Sequence, residues 1–168
     1  MEATRRQWLL RGFIALMIIG VMVRQYVKYR VAPELEIEKL EFVNLDGSLY
    51  NNSNLEGRNI LLTYFATWCG PCNAEIAGLE AARPLLEAEG FLLVHVTDEA
   101  LEKINNFMAK HPSGITYLRS TKPLAEIGVH TYPTHFVFDK QGTLRYKQTN
   151  EMNWNNPETA QDIIKMVE

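Results

Sequence analysis

Cysteine is scarce in this chain: its 168 residues include two, Cys69 and Cys72. That excludes a multi-bridge disulfide framework. With no second CxxC, and with His95, His111, His130 and His135 scattered, no complete four-ligand zinc set can be read either. Repeats and low-complexity segments are also missing, which points away from solenoids and arrays. Net basic charge is absent from most of the chain. Residues 1–30 hold six Lys/Arg and one acid, net +5, whereas residues 31–168 hold eleven Lys/Arg and nineteen acids, net −8. An acidic body argues against nucleic acid as a partner. The lack of other cysteines does not decide the compartment, because it suits a reducing cytosol and also an exported protein whose one disulfide is catalytic.

Long hydrophobic runs are lacking except for one. Gly12 to Val23 (GFIALMIIGVMV) is too short to span a bilayer, but Trp8 to Val27 gives about 20 residues, near the ~30 Å that a bilayer core requires. Arg11 and Arg24 can then snorkel toward headgroups, with Trp8, Tyr26 and Tyr29 near the interfaces. No small-x-small cleavage site follows Val23, where Arg24-Gln25-Tyr26 is bulky and polar, so the reading is an uncleaved anchor rather than a signal peptide. Residues 1–30 are therefore taken as a membrane anchor (span about 8–27), 31–41 as a polar tether and 42–168 as one domain. Arg5, Arg6 and Arg11 on one side balance Arg24, Lys28 and Arg30 on the other, so charge leaves the orientation open.

What is present is Trp68-Cys69-Gly70-Pro71-Cys72 at a strand-to-helix transition. Ile60 to Ala66 is a short apolar β-prone run, and Glu75 to Glu89 has apolar residues at helical spacing. Cys69 thus falls where a helix starts. Free N–H groups and the positive end of the helix dipole favour a thiolate there, and CxxC motifs bring a cysteine pKa of ~8.5 down to roughly 3.5–7.5. Cys72 follows one turn later, near enough to resolve a mixed disulfide formed by Cys69. Pro71 suits a first helical turn. A structural disulfide is the plainer alternative, but closing so short a loop gains little.

Along the body, Phe42 to Gly47 gives a strand ending in an Asp-Gly turn, which predicts a β-hairpin before Leu55. Asn51-Asn52-Ser53 fits a glycosylation sequon, relevant only in a eukaryotic secretory setting. Pro84 predicts a kink in the CxxC helix and Gly90 its stop. Phe91 to Thr97 is a continuous apolar strand, so strand, helix and strand form a βαβ unit. Asp98 is the expected cap of a helix bearing Leu101, Ile104, Phe107 and Met108, which ends near His111-Pro112. Ile115 to Arg119 is a brief strand, with a helical turn around Pro123 to Ile127. Thr134 to Asp139 and Thr143 to Gln148 form a hairpin, and Pro157 opens a last helix with Ala160, Ile163, Ile164 and Val167 inward.

The order βαβ, helix, hairpin, helix, with Trp-Cys-Gly-Pro-Cys at the first helix and Tyr132-Pro133-Thr134 before the hairpin, resembles a thioredoxin-like fold over roughly residues 42–168. Phe42 to Gly47, Leu55-Glu56-Gly57, Phe65 to Cys69 and Cys72-x-x-Glu75 resemble the membrane-anchored TlpA/ResA/CcmG thiol–disulfide oxidoreductases. The implied architecture is α/β: a central mixed sheet flanked by helices, with an N-terminal β-hairpin extension and a transmembrane anchor. The resemblance implies Cys69 as nucleophile, Cys72 as buried resolving thiol, Pro133 as a cis-proline, and the Tyr132 backbone as a substrate-pairing edge. Trp68, Gly70 and Pro71 complete the supporting set. Thioredoxins carry a buried Asp six residues before the first cysteine. Thr63 stands there and cannot titrate, so Glu75 becomes the acid/base candidate, against the reading of a solvated helix glutamate. His130 and His135 flank the Pro133 loop, from which they could tune the site, but read first as surface or hydrogen-bonding residues, and His95 reads as a core histidine.

Two departures are visible: Ile76-Ala77 replaces a proline common in that branch, and Gly70-Pro71 is the dipeptide of thioredoxin itself, suggesting a reducing potential near ~−270 mV. The implied activity is reduction of protein disulfides outside the cytoplasm, on the periplasmic side of a membrane. The redox-active Cys69–Cys72 disulfide would be the sole redox group, without metal or other cofactor, and a membrane-embedded electron donor would recharge it. Apocytochrome c maturation is one family-implied pathway. A copper-binding chaperone is the alternative, although such sites resemble CxxxC plus a distant histidine. A thiol peroxidase ranks lower, since Ala66 and Leu62 occupy the positions of its usual Thr/Ser and Pro.

Overall fold

The computed structural model describes residues 2–30 and 32–168 and divides into two units, one ending at residue 31 and one running from Ala32 to Glu168. The first unit is a single helix, α1 (Glu2–Arg30), whose stretch Gln7–Tyr29 is long and apolar enough to cross a membrane. At 1.5 Å per residue those 23 residues extend about 35 Å.

The second unit is a six-stranded sheet in the order β1-β4-β3-β2-β5-β6, built from β1 (Phe42–Val43), β2 (Asn59–Tyr64), β3 (Phe91–Thr97), β4 (Thr116–Ser120), β5 (Thr134–Phe138) and β6 (Leu144–Thr149). β2, β3 and β4 run parallel, while β1, β5 and β6 join antiparallel. The sheet is thus mixed and thioredoxin-like. Every residue of β2 is buried because the strand is central and covered on both faces, which is why its sequence reads as a continuous run rather than an alternation.

Helices α2 (Gly70–Ala88), α3 (Leu101–Lys110) and α4 (Pro157–Lys165) contribute Cys72, Ile76, Leu79, Ile104, Phe107 and Ile163 to one core, on the sheet face carrying Leu61, Leu93 and Val137. α2 continues through Pro84, and Gly90, at φ +79, follows its end in the left-handed conformation that glycine adopts without penalty. Asn156 caps α4 by accepting the Glu158 N–H, with Pro157 in the first turn.

Two expectations are revised and a third is refined. The polar tether over 31–41 is largely packed chain: Ala32, Leu35, Ile37 and Leu40 are buried against Leu62, Phe136 and Phe138 on the second sheet face, and Val31 lies outside the described residues. The N-terminal hairpin before Leu55 is present but short: around the Asp46-Gly47 turn the Asn44 N–H donates to the Ser48 carbonyl and the Tyr50 N–H to that of Phe42, Val43 bridges Leu49, and β1 takes its longer pairing from β4. Asp98 does not cap α3. Ala100 holds that position without a side-chain bond, and the Asp98 carboxylate instead accepts the Leu124 N–H at 2.8 Å, fixing the 123–129 turn.

Candidate active site

The site forms where β2 ends and α2 begins. Cys69 is the N-cap of α2, and its sulfur accepts the Cys72 N–H at 3.2 Å. No acidic residue occupies the first turn of the helix, where it would offset the positive end of the dipole that acts on Cys69. Cys69 and Cys72 are joined as a disulfide, and both are buried. Trp68 beside them is 71% exposed and meets Tyr132 edge to face, ring centres 6.0 Å apart. Gly70 and Pro71 are exposed at the start of α2. Pro133 is buried, its peptide bond with Tyr132 is cis, and its carbonyl accepts the Asn150 N–H at 2.9 Å. Burial, together with the Asp98 and Glu99 carboxylates, pushes the Tyr132 hydroxyl above its usual range.

Glu99 was not singled out in the sequence, yet it ties down the segment leading into the cysteines. Its carboxylate accepts the Thr67 N–H at 2.6 Å and the Thr67 hydroxyl at 3.1 Å, while Asn73 donates to the Thr67 carbonyl at 3.5 Å. Nothing in sequence spacing links residue 99 to residue 67. The bond follows from parallel β2 and β3 ending side by side.

Glu75 is not a solvated helix residue. Its side chain is 3% exposed. Oε2 accepts the Met152 N–H at 3.1 Å, and Oε1 has no partner. Glu75 lies one turn beyond Cys72 on the same helix, and such positions place Cβ atoms about 5–6 Å apart. A cavity of about 410 Å³ opens beside it, lined by Pro71, Glu75, Glu151 and Trp154 among others. Gly78 lets the 153–155 segment approach α2 here, since a Cβ would stand 3.0 Å from that of Trp154.

His135 is also not at the surface. It is fully enclosed on β5, with Nδ1 3.0 Å from the Thr63 hydroxyl and Nε2 3.5 Å from Glu75 Oε2. Its inward direction follows from strand alternation with Val137, although flanking residues alone leave the choice of face open. His95 is a core histidine between Phe65 and Tyr117; burial, aided by His135, pushes its pKa down to about 3. His130 is half-buried in the loop before Pro133. Among the described residues, no three His, Cys, Asp or Glu side chains are grouped so as to hold a metal ion.

Comparison with known proteins places this geometry. Residues 30–164 match the Redoxin family. The thiol:disulfide interchange protein DsbE of Vibrio cholerae is 30% identical over 129 residues, 76% of this chain and 67% of DsbE. The thiol-disulfide oxidoreductase ResA of Bacillus thuringiensis is 28% identical over 104 residues, so the match spans 59% of ResA's length. Among solved structures, a thiol:disulfide interchange protein of the thioredoxin family from Chlorobium tepidum superposes with a TM-score of 0.62 at 23% identity, covering 83% of this chain and 95% of that one. A secreted Mycobacterium tuberculosis disulfide oxidoreductase gives 0.62 at 19% identity, with 77% and 99% covered. These likenesses between structures establish the thioredoxin-like fold.

Proposed function

The chain belongs to the Redoxin family, and from that premise we propose that it is a thiol–disulfide oxidoreductase of the DsbE/ResA type that reduces disulfides in protein substrates. The observation that carries this reading is the Cys69–Cys72 pair at the N-terminus of α2, with a buried carboxylate one turn beyond it.

In the reduced enzyme, the Cys69 thiolate attacks one sulfur of the substrate disulfide. A mixed disulfide forms and the first substrate thiolate leaves. Cys72 then loses its proton to the Glu75 carboxylate and attacks the Cys69 sulfur, closing the Cys69–Cys72 bond and releasing the second substrate thiolate. Two electrons pass from the enzyme dithiol to the substrate. Trp68 and Tyr132 flank the reacting sulfur as an aromatic rim, and the Tyr132 backbone offers the edge against which an extended substrate segment pairs. The dithiol is the only redox group this scheme needs.

We further propose that α1 anchors the chain in a membrane with the redox domain on the extracytoplasmic side, where a membrane-embedded donor restores the dithiol. Apocytochrome c maturation is the pathway that the DsbE and ResA resemblance suggests.

The test is trapping. Cys72→Ser, incubated with an oxidised protein substrate, should accumulate a mixed disulfide through Cys69, and Cys69→Ser should form none. Equal trapping by both variants would refute the assignment. The reduction potential, set by equilibration with dithiothreitol and followed by tryptophan fluorescence, should lie well below about −200 mV; a value near −120 mV would make the protein an oxidant instead.

A further inference from the structure

Strand register sets five polar side chains in a row across the sheet: Tyr117 on β4, His95 on β3, Thr63 on β2, His135 on β5 and Gln148 on β6 are consecutive paired neighbours. Thr63 and His135 lie on the face beneath α2, where His135 meets Glu75. The imidazole therefore sits between a neutral hydroxyl and a carboxylate. Its tautomer follows from what each nitrogen faces. A proton on Nδ1 would leave the Nε2 lone pair pointing at a carboxylate oxygen 3.5 Å away inside the protein, which is repulsive. With Thr63 donating to Nδ1, the ring proton resides on Nε2 and is directed at Oε2 of Glu75. At 3.5 Å this contact is longer than a formed hydrogen bond, and Nε2 and Glu75 Oε1 both lack partners in the disulfide form. Catalytic contacts of this kind are commonly long in the resting form and tighten only in the reacting complex.

We propose that His135 is the positioning residue of the resolving step: its Nε2–H, fixed by Thr63, steadies the Glu75 carboxylate as acceptor of the Cys72 proton. This rests on the reading that Glu75 serves as that acceptor. The proton leaves Cys72 for Glu75 as the Cys72 sulfur closes on Cys69 and the substrate thiolate departs. Glu75 then returns the proton to solvent through the cavity lined by Pro71, Glu151 and Trp154. His135 itself transfers no proton; it only directs Nε2–H at the carboxylate. The other titratable groups near the pair are Glu151, at the exposed mouth of the cavity, and His95, one strand beyond Thr63 and held uncharged by burial. Trp154 closes the remaining side, its ring edge-on to His135 at 6.4 Å.

The experiment uses the reduced full-length chain in detergent micelles, mixed with saturating glutathione disulfide. The concentration-independent resolving step is followed by tryptophan fluorescence as a function of pH. Losing a charge-directed donor moves the acid limb of a profile by about one unit, a tenfold change on that limb. His135→Leu should therefore shift the acid limb upward by about one pH unit and leave the bimolecular attack by Cys69 unchanged. His135→Gln, which keeps a neutral donor, should recover part of the shift. Where His135→Leu does not fold, Thr63→Val gives a smaller shift in the same direction. An unmoved limb in the folded His135 variant, or in Thr63→Val where it replaces that variant, with the limb abolished by Glu75→Gln, overturns the role of His135 alone. A limb that survives Glu75→Gln overturns the reading of Glu75 as well.

Discussion

His95 should make the fold sensitive to acid, and replacing it should remove that sensitivity. The ring is fully enclosed, neither nitrogen has a hydrogen-bond partner, and its folded pKa is pushed down to about 3 by burial, with His135 adding to the effect. In the unfolded chain the same group titrates near 6.5. Below that value the unfolded state binds a proton that the folded state refuses, so stability falls as pH falls, by about 1.4 kcal/mol per unit until the folded pKa is reached. Between about pH 8 and pH 5 the loss from this one residue is about 2 kcal/mol. His95→Leu removes the titration. It also removes two unpaired nitrogens and loses ring contacts with Phe65 and Tyr117, both at 5.3 Å, so the variant's stability at pH 8 has terms of both signs. The pH dependence is the clean quantity. Urea denaturation of the oxidised protein by tryptophan fluorescence, in wild type and variant at both pH values, gives the difference directly, since other titrating groups cancel. The stability of His95→Leu relative to wild type should rise by about 2 kcal/mol on going from pH 8 to pH 5. A relative stability that stays constant within about 0.5 kcal/mol would show that His95 is not held neutral, and the reasoning would fail.

Two structural predictions concern the site's supports. Glu99→Ala takes the acceptor from the Thr67 N–H and hydroxyl and should cost about 2 kcal/mol of stability in urea titration, whereas Glu99→Gln, which keeps a carbonyl oxygen for the N–H, should cost well under half of that. Equal losses would mean that the pairing is not what holds the segment. Gly78→Ala would set a methyl group 3.0 Å from Trp154 Cβ and 3.1 Å from Asn155 Oδ1; it should destabilise by about 1–3 kcal/mol and alter Trp154 emission, and a neutral result would show that the 153–155 segment yields freely.

The sequence showed those features whose causes are local. Cys69 as the start of α2, the central strands β2 and β3, the opening of α4 at Pro157 and the stop at Gly90 all depend on residues within a turn of one another. The parallel pairing of β2 with β3 and the β5–β6 hairpin were also legible, because βαβ connectivity and a short connection constrain them. What failed or stayed open depends on contacts between distant segments. Asp98 has the chemistry of an N-cap, but the 123–129 turn offers it a donor and wins. Residues 31–41 look polar because Glu34, Glu36, Glu38, Lys39 and Glu41 alternate with apolar residues; that alternation is how an extended segment buries one side while showing charge on the other. Glu75 had a solvated reading beside the acid/base one and His135 a surface reading beside a hydrogen-bonding one, and only the meeting of α2 with β5 decides between them.

The apolar cover on the second sheet face has a mechanical consequence. Residues 32–40 lie on Leu62, Phe136 and Phe138 through four side chains and a few polar ties, among them the Asn52 side chain donating to the Leu40 carbonyl at 2.7 Å. The cysteines belong to the opposite core, under α2. A pull applied to the chain from its N-terminal side is therefore taken up first by a strip of irregular chain that can peel away in steps, before any load reaches the paired strands. Losing the strip would uncover the second sheet face while the core that holds the dithiol stays packed under α2.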